Sequence, residues 1–203
     1  MSLYDKLKAD LQAGRFAPGT VLKQKELAEH YQVSRIPVRD AILKLKNQGW
    51  LTDHGKCGVA VPKFDALEVE DIYLMRMRLE PLLQELAIPK LNAEVLGRAE
   101  DLLTHMDQPG LSATEIGELN WQFHACLYQP AQRPTLFAVV EHLQRQCQRY
   151  IGYQSLSLNY QARSQTEHRT LLDALRQGKG ELAERLLREH ISEAGQALVK
   201  FLR

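Results

Sequence analysis

The stretch from Gln24 to Val61 constrains this chain more than any other. Leu27, Ala28 and Tyr31 give one apolar face to a short predicted helix, and Gln32-Val33 follows as a tight turn. Ser34 stands where its hydroxyl can cap a second helix. In that helix Val38, Ala41, Ile42 and Leu45 recur at i, i+3, i+4 and i+7, an inward stripe. Arg35 and Arg39, four residues apart, share another face near its N-terminal end, where a recognition helix meets base edges. Gly49 can end the helix, and Trp50-Leu51-Thr52 and Gly58-Val59-Ala60-Val61 read as short strands around a His54-Gly55-Lys56 tip. Helix, turn, helix and hairpin in that order describe a winged helix-turn-helix, which implies DNA binding. The plainer alternative is a small helical domain whose arginines merely sit in solvent. The hairpin, the serine cap and the paired arginines weigh against it together.

Charge supports the same division of labour. The net charge of +1 alone argues against a nucleic-acid partner, but its distribution does not. Residues 1–63 hold 11 Lys and Arg against 6 Asp and Glu, whereas residues 64–203 hold 15 against 19. A basic head on an acidic body suits a domain that meets phosphates joined to one that does not. Cys57, Cys126 and Cys147 are odd in number and lack paired spacing, which fits a reducing cytoplasm. The first residues mix acidic and basic side chains, unlike a signal peptide, and no apolar run reaches membrane-spanning length. The expected location is cytoplasmic, with no membrane partner.

Leu3, Leu7 and Leu11 predict a first amphipathic helix ending at Gly14. The expected domains are 1–63 and 64–203, joined near Lys63. From Ala66 onward the pattern is helical, with six helices predicted near 66–89, 92–107, 112–129, 134–154, 157–177 and 180–202. Breaks fall at Pro89 to Asn92, Gln108-Pro109-Gly110, Gln129-Pro130 to Pro134, near Ser155-Leu156, and Gly178-Lys179-Gly180. Loops this short join antiparallel neighbours into a bundle. The fold class is therefore mainly α: a winged helix-turn-helix followed by an all-α bundle.

Histidine spacing adds a possible site to that bundle. His168 and His190 flank the Gly178-Lys179-Gly180 turn at similar distances, so in a hairpin they sit at similar height, ~15–16 Å from the turn. Height does not decide whether they face the same side. Asn120 and His124 are i, i+4 and stack on one face of an earlier helix. Three imidazoles and one side-chain oxygen on facing helices can ligate a divalent metal. Solvated or core histidines are the commoner case, and His30, His105 and His142 are read that way.

The head closely resembles the GntR family of bacterial transcription regulators. The resemblance runs through Pro18 to Leu22, Glu26-Leu27-Ala28, Val33-Ser34-Arg35-Ile36-Pro37-Val38-Arg39-Asp40-Ala41 and Leu45 to Gly49. It implies DNA contacts at Lys25, Arg35, Arg39 and the tip residues His54 and Gly55, with which the cap Ser34 is grouped. Lys25 stands where some relatives carry Arg, which replaces a fork of donors by a point charge. Residues 66–203 resemble the FCD effector domain of the FadR branch of that family. The motifs are Asp71-Ile72-Tyr73 to Arg76, Leu79-Glu80-Pro81, Asn120 to His124 with Leu127, Glu167-His168-Arg169 and Glu189-His190.

Many such domains bind metal through one Asp and three His, which implies Asn120, His124, His168 and His190 here. Asn120 departs from that pattern and removes one negative charge. Three imidazoles favour zinc or nickel over magnesium. The resemblance further implies a small organic acid as effector, with Arg76 forking to its carboxylate. An ion pair from Arg76 to Glu80, one turn on, is the local alternative.

The expectation is a homodimeric regulator on a pseudo-palindromic operator, with affinity set by a carboxylate beside a metal. A regulator that senses the metal itself is one rival. A helical metalloenzyme with Glu167 as base is another, although Glu167 lies about 100° round the helix from His168. No HExxH or other hydrolytic signature is present.

Overall fold

Helix α3 (Arg35–Asn47) buries Val38, Ala41, Ile42 and Leu45, the stripe its period requires. The structure, a computed structural model, describes residues 2–55, 58–157 and 160–203. Its internal contacts divide the chain into two units, Met1–Phe64 and Asp65–Arg203.

In the first unit α1 (Leu3–Gln12) starts with a capping box between Ser2 and Asp5 and brings Leu7 and Leu11 to α3. Helix α2 (Gln24–His30) ends where Gln32 takes a left-handed conformation, φ 54°, and the Val33 amide donates to the Ala28 carbonyl. Gly49, φ 76°, closes α3 in the same manner. The wing strands are β2 (Thr52–His54) and β3 (Gly58–Ala60), and a two-residue strand, β1 (Val21–Leu22), joins them in the order β1-β3-β2. All pairings are antiparallel, with Val59 opposite both Leu22 and Asp53. A Cβ on Gly58 would lie 2.7 Å from the Leu22 carbonyl oxygen, so only glycine permits this approach. The first wing strand begins later than its sequence suggests. Trp50 and Leu51 are drawn into the core beside Leu27 and Leu45, and the ladder begins at Thr52. Lys56 and Cys57 lie outside the described residues.

The described part of the second unit is helical. Helices α4 (Ala66–Ala87), α5 (Ala93–Met106), α6 (Ala113–Tyr128), α7 (Pro134–Ser157), α8 (Tyr160–Arg176) and α9 (Gly180–Leu202) follow in order. Short 3-10 turns at Ile88–Lys90 and Gln129–Ala131 place their prolines where the missing amide costs nothing. Helix α4 packs chiefly against α9 and α7. It tolerates Pro81 in its interior, and the Met77 carbonyl that Pro81 cannot satisfy accepts from Arg188 Nη1 of α9 at 3.0 Å. Gly195 of α9 leaves room for the Tyr73 ring, which would lie 2.7 Å from any Cβ there. That contact fixes one wall of the site described next. No helix among the described residues is long and apolar enough to cross a membrane.

Candidate functional site

Two sites emerge, one in each unit. On the first unit Arg35 and Arg39 are exposed on α3 and make no ion pair among the described residues. Lys25 is exposed and lies 3.8 Å from Glu29, a contact of little strength in water. His54 and Gly55 are exposed at the end of β2. Ser34 occupies the N-cap position of α3 in extended conformation, yet its side chain makes no cap hydrogen bond, which corrects the expected cap. Its backbone alone starts the helix. Sequence reasoning passed over Ile36, which is 74% exposed on the first turn of α3. At 100° per residue Ile36 points almost directly away from the buried stripe, farther out than either arginine.

In the second unit α6, α8 and α9 bring His124, His168 and His190 together. One ligand atom from each lies within 4.8 Å of the other two. All three side chains are buried. The network fixes which nitrogen each ring offers. Tyr128 donates its hydroxyl to Glu80 Oε2 at 2.8 Å, so its oxygen accepts from His124 Nδ1 at 3.4 Å. Gln165 donates its amide to the Leu103 carbonyl and to Asp107, which turns its oxygen toward His168 Nδ1 at 3.3 Å. Glu167 Oε2 accepts from His190 Nδ1 at 2.8 Å. With Nδ1 so engaged, each ring has Nε2 as its remaining ligand atom. The Nε2 atoms of His124 and His168 are buried with no hydrogen-bond partner.

Buried nitrogens without a partner are costly unless something shares them. Burial holds the His124 and His168 imidazoles well below their ordinary value of 6.5, and the neighbouring His190 adds to the effect. They are neutral at pH 7, the form a metal requires. Burial works to raise the Glu167 carboxyl, but hydrogen bonds and charge from His190 and Arg163 hold it below its ordinary value. These residues fit a borderline divalent ion: three nitrogen donors, each with its far nitrogen anchored.

A cavity of about 90 Å³ adjoins the triad, lined among others by Asn120, Arg76, Tyr73, His168 and His190. Asn120 is half-buried one turn before His124 and lies on the cavity wall. Arg76 is buried and also reaches the cavity, yet its Nε already donates to Glu80 Oε1 at 2.6 Å. Its guanidinium sits 4.7 Å from the centre of the Tyr73 ring, and Nη1 lies 3.5 Å from Cys147 Sγ. Burial opposes the charge on Arg76, but Glu80 outweighs it and keeps the guanidinium protonated. The local ion pair and the cavity position therefore hold together.

Tyr128, Gln144 and Gln165, which the sequence did not single out, complete the site around Glu80 and the histidines. Glu80 is wholly buried and accepts from Arg76, Tyr128 and Gln144. Tyr128 and Gln165 stand at i+4 from His124 and i−3 from His168, the only hint that spacing offered. Glu167 had entered as a general base, but its carboxylate orients His190 from behind.

Comparison with known proteins gives matches in both parts. The FCD domain model matches residues 71–193, and the model for bacterial regulatory proteins of the gntR family matches residues 1–61. An uncharacterized HTH-type transcriptional regulator of Bacillus subtilis, YdhC, is 32% identical over 146 residues, spanning 70% of this chain. The chain covers only 65% of that relative's length. The Nta operon transcriptional regulator of Aminobacter aminovorans is 30% identical over 149 residues, 72% of this chain and 71% of that protein. Among solved structures, E. coli McbR/YncC superposes with a TM-score of 0.77 at 24% identity, covering 99% of this chain and 97% of that one. That likeness speaks for the fold alone. A GntR family member from Pseudomonas syringae pv. tomato gives 0.61 at 30% identity, covering 98% and 86%.

Proposed function

Because the chain belongs to the gntR family of bacterial regulatory proteins and carries an FCD domain, we propose that it regulates transcription in the cytoplasm as a homodimer. Its operator affinity answers to a small organic acid held beside a divalent metal ion in the cavity of the second unit. One observation carries the effector half of this reading: three buried imidazoles from three helices offer ligand atoms within 4.8 Å of one another, with every Nδ1 engaged and two Nε2 atoms buried without a partner.

His124, His168 and His190 would hold the ion, zinc or nickel rather than magnesium, with Asn120 as a neutral fourth ligand. A bound divalent ion supplies the positive charge that a carboxylate needs in a buried cavity. Arg76 contributes less charge than its type suggests, because Glu80 already neutralises it. It serves as a positioned donor on the wall. An acid that binds one pose of the two heads better than another shifts operator affinity, since only differential affinity moves such an equilibrium.

On DNA, Arg35 and Arg39 would read guanine edges, with Ile36 against a thymine methyl between them. Lys25, Ser34, His54 and Gly55 would meet the backbone or the adjacent groove. Two further lysines on α3 could meet phosphates, but Lys46 already pairs with Asp53 at 2.5 Å, while Lys44 lies over the Tyr4 ring. Replacing Arg39 by alanine is expected to weaken operator binding by ~1–3 kcal/mol and random-sequence binding much less. Gel shifts on both DNAs check this, and an unchanged ratio removes Arg39 from sequence reading.

A second reading, that the metal itself is the signal, is favoured by the small cavity, since 90 Å³ holds about three waters or a short acid. The experiment that tests the proposal is operator binding titrated with zinc or nickel, alone and with a panel of small carboxylic acids. Dependence on acid only after metal loading supports acid sensing. A full response to metal alone supports the second reading, and indifference to both removes the effector role.

A further inference from the structure

The charges in and around the cavity narrow the acid it can take. Among the described residues on its wall Arg76 alone bears a fixed charge, and Glu80 meets that guanidinium at 2.6 Å. Behind His190, Glu167 is met in turn by Arg163 at 2.8 Å. Each of these ions is therefore already balanced. Asn120, on the wall one turn before His124, is a neutral amide. A divalent ion among three neutral imidazoles would keep both of its positive charges. Charge left unmatched in a buried site is costly.

The other wall residues do not change that balance. Gln144 donates its amide to Glu80, Gln161 to the Met106 carbonyl and Gln165 to the Leu103 carbonyl. What these amides have left is oxygen, an acceptor that offers a carboxylate nothing. Met106, Ile116 and Ala194 make much of the remaining wall apolar. An acid with carboxylates at opposite ends would press one of them against that apolar surface. Both anionic groups must therefore lie close together on a short skeleton, as a cavity of about 90 Å³ also requires. We infer that the cavity selects a doubly charged short acid, a dicarboxylate of the malonate class, because Asn120 leaves two positive charges on the bound ion for the ligand to meet.

This inference rests on the reading of the cavity as a metal-and-acid site and adds the charge of the acid to it. Residue 120 then sets specificity. An aspartate there would supply one of the two negative charges from the protein, and a singly charged acid would complete neutrality. With asparagine the ligand must bring both.

The test is calorimetric titration of the full-length chain, loaded with zinc and freed of unbound metal, with malonate and with its half-amide malonamate. The two probes share a skeleton and differ by one charge. Elemental analysis before and after titration verifies that zinc stays bound. Malonate is expected to bind about tenfold tighter or more than malonamate, since the second charge meets the ion in a buried site. The metal-free chain should bind malonate at least about tenfold more weakly than the loaded one. Asn120→Asp, which changes charge with almost no change in shape, should bind zinc more tightly and lose most of the preference for malonate. A chain that takes up no zinc overturns the metal reading and this inference with it. A zinc-loaded chain that binds both probes equally, or neither, overturns the charge selection alone. A preference for malonate that survives Asn120→Asp undiminished removes Asn120 as its cause and overturns the inference.

Discussion

Loading the wild-type chain with zinc or nickel at about a thousand times its dissociation constant should stabilise it by ~4 kcal/mol. For a chain of this size that corresponds to a rise in thermal midpoint of roughly 8–16 °C. His168→Ala should lose that rise. The buried Nε2 atoms of His124 and His168 lack hydrogen-bond partners. A bound ion removes that deficit and finds rings already oriented by Tyr128, Gln165 and Glu167. Glu167→Gln keeps three nitrogens but weakens the hold on His190, so metal affinity should fall about 10–100-fold without disappearing. Calorimetric titration of the three proteins checks the ranking. An equal thermal shift in wild type and His168→Ala would remove the triad as the ion's site.

The same burial gives the metal-free protein a pH dependence. The folded-state values of His124 and His168 lie below 6.5, so under acid the unfolded chain takes up protons that the folded chain refuses. Stability is complete above pH 6.5 and declines as the pH falls below it. Bound metal, which also requires neutral rings, is displaced by protons only at the lower folded-state values.

Local periodicity made the recognition helix readable, because the spacing of Val38, Ala41, Ile42 and Leu45 admits one inward face. Proline and glycine marked the ends of the later helices for equally local reasons. What stayed hidden depends on partners distant in sequence. Strand β1 is two residues long and exists only because Val59 and Ala60 pair with it from the wing. The late start of β2 follows from the pull of the core on Trp50 and Leu51. The Ser34 hydroxyl sits at the right position and makes no cap bond, since residue type states a capacity and not a rotamer. The histidines show the same boundary. Residue counting set His168 and His190 at one height, but their facing depends on the rotation of α8 and α9. Glu80 was visible as an i+4 partner of Arg76. Its bonds to Tyr128 and Gln144 come from α6 and α7 and left no trace in local spacing.

Glu80→Ala is expected to destabilise the second unit by roughly 3–5 kcal/mol, the range for removing one partner of a buried ion pair. Glu80 accepts from Arg76 at 2.6 Å, Tyr128 at 2.8 Å and Gln144 at 3.3 Å, all within the interior. Alanine would leave a buried guanidinium with no opposing charge. A second effect follows through Tyr128. While its hydroxyl donates to Glu80, His124 must carry its proton on Nδ1 and present Nε2 bare. Without Glu80 the hydroxyl is free to donate to Nδ1, which moves the His124 proton to Nε2 and blocks that donor. Metal affinity should therefore fall about 10–100-fold, although Glu80 touches none of the three nitrogens directed at the ion. The charge-free pair Arg76→Met/Glu80→Leu separates the two effects. Replacing both partners by apolar residues is often neutral for stability, so urea unfolding should recover most of the loss while metal titration should not. A Glu80→Ala chain that unfolds within 1 kcal/mol of wild type would contradict the buried pair, and unchanged metal affinity would contradict the relay through Tyr128.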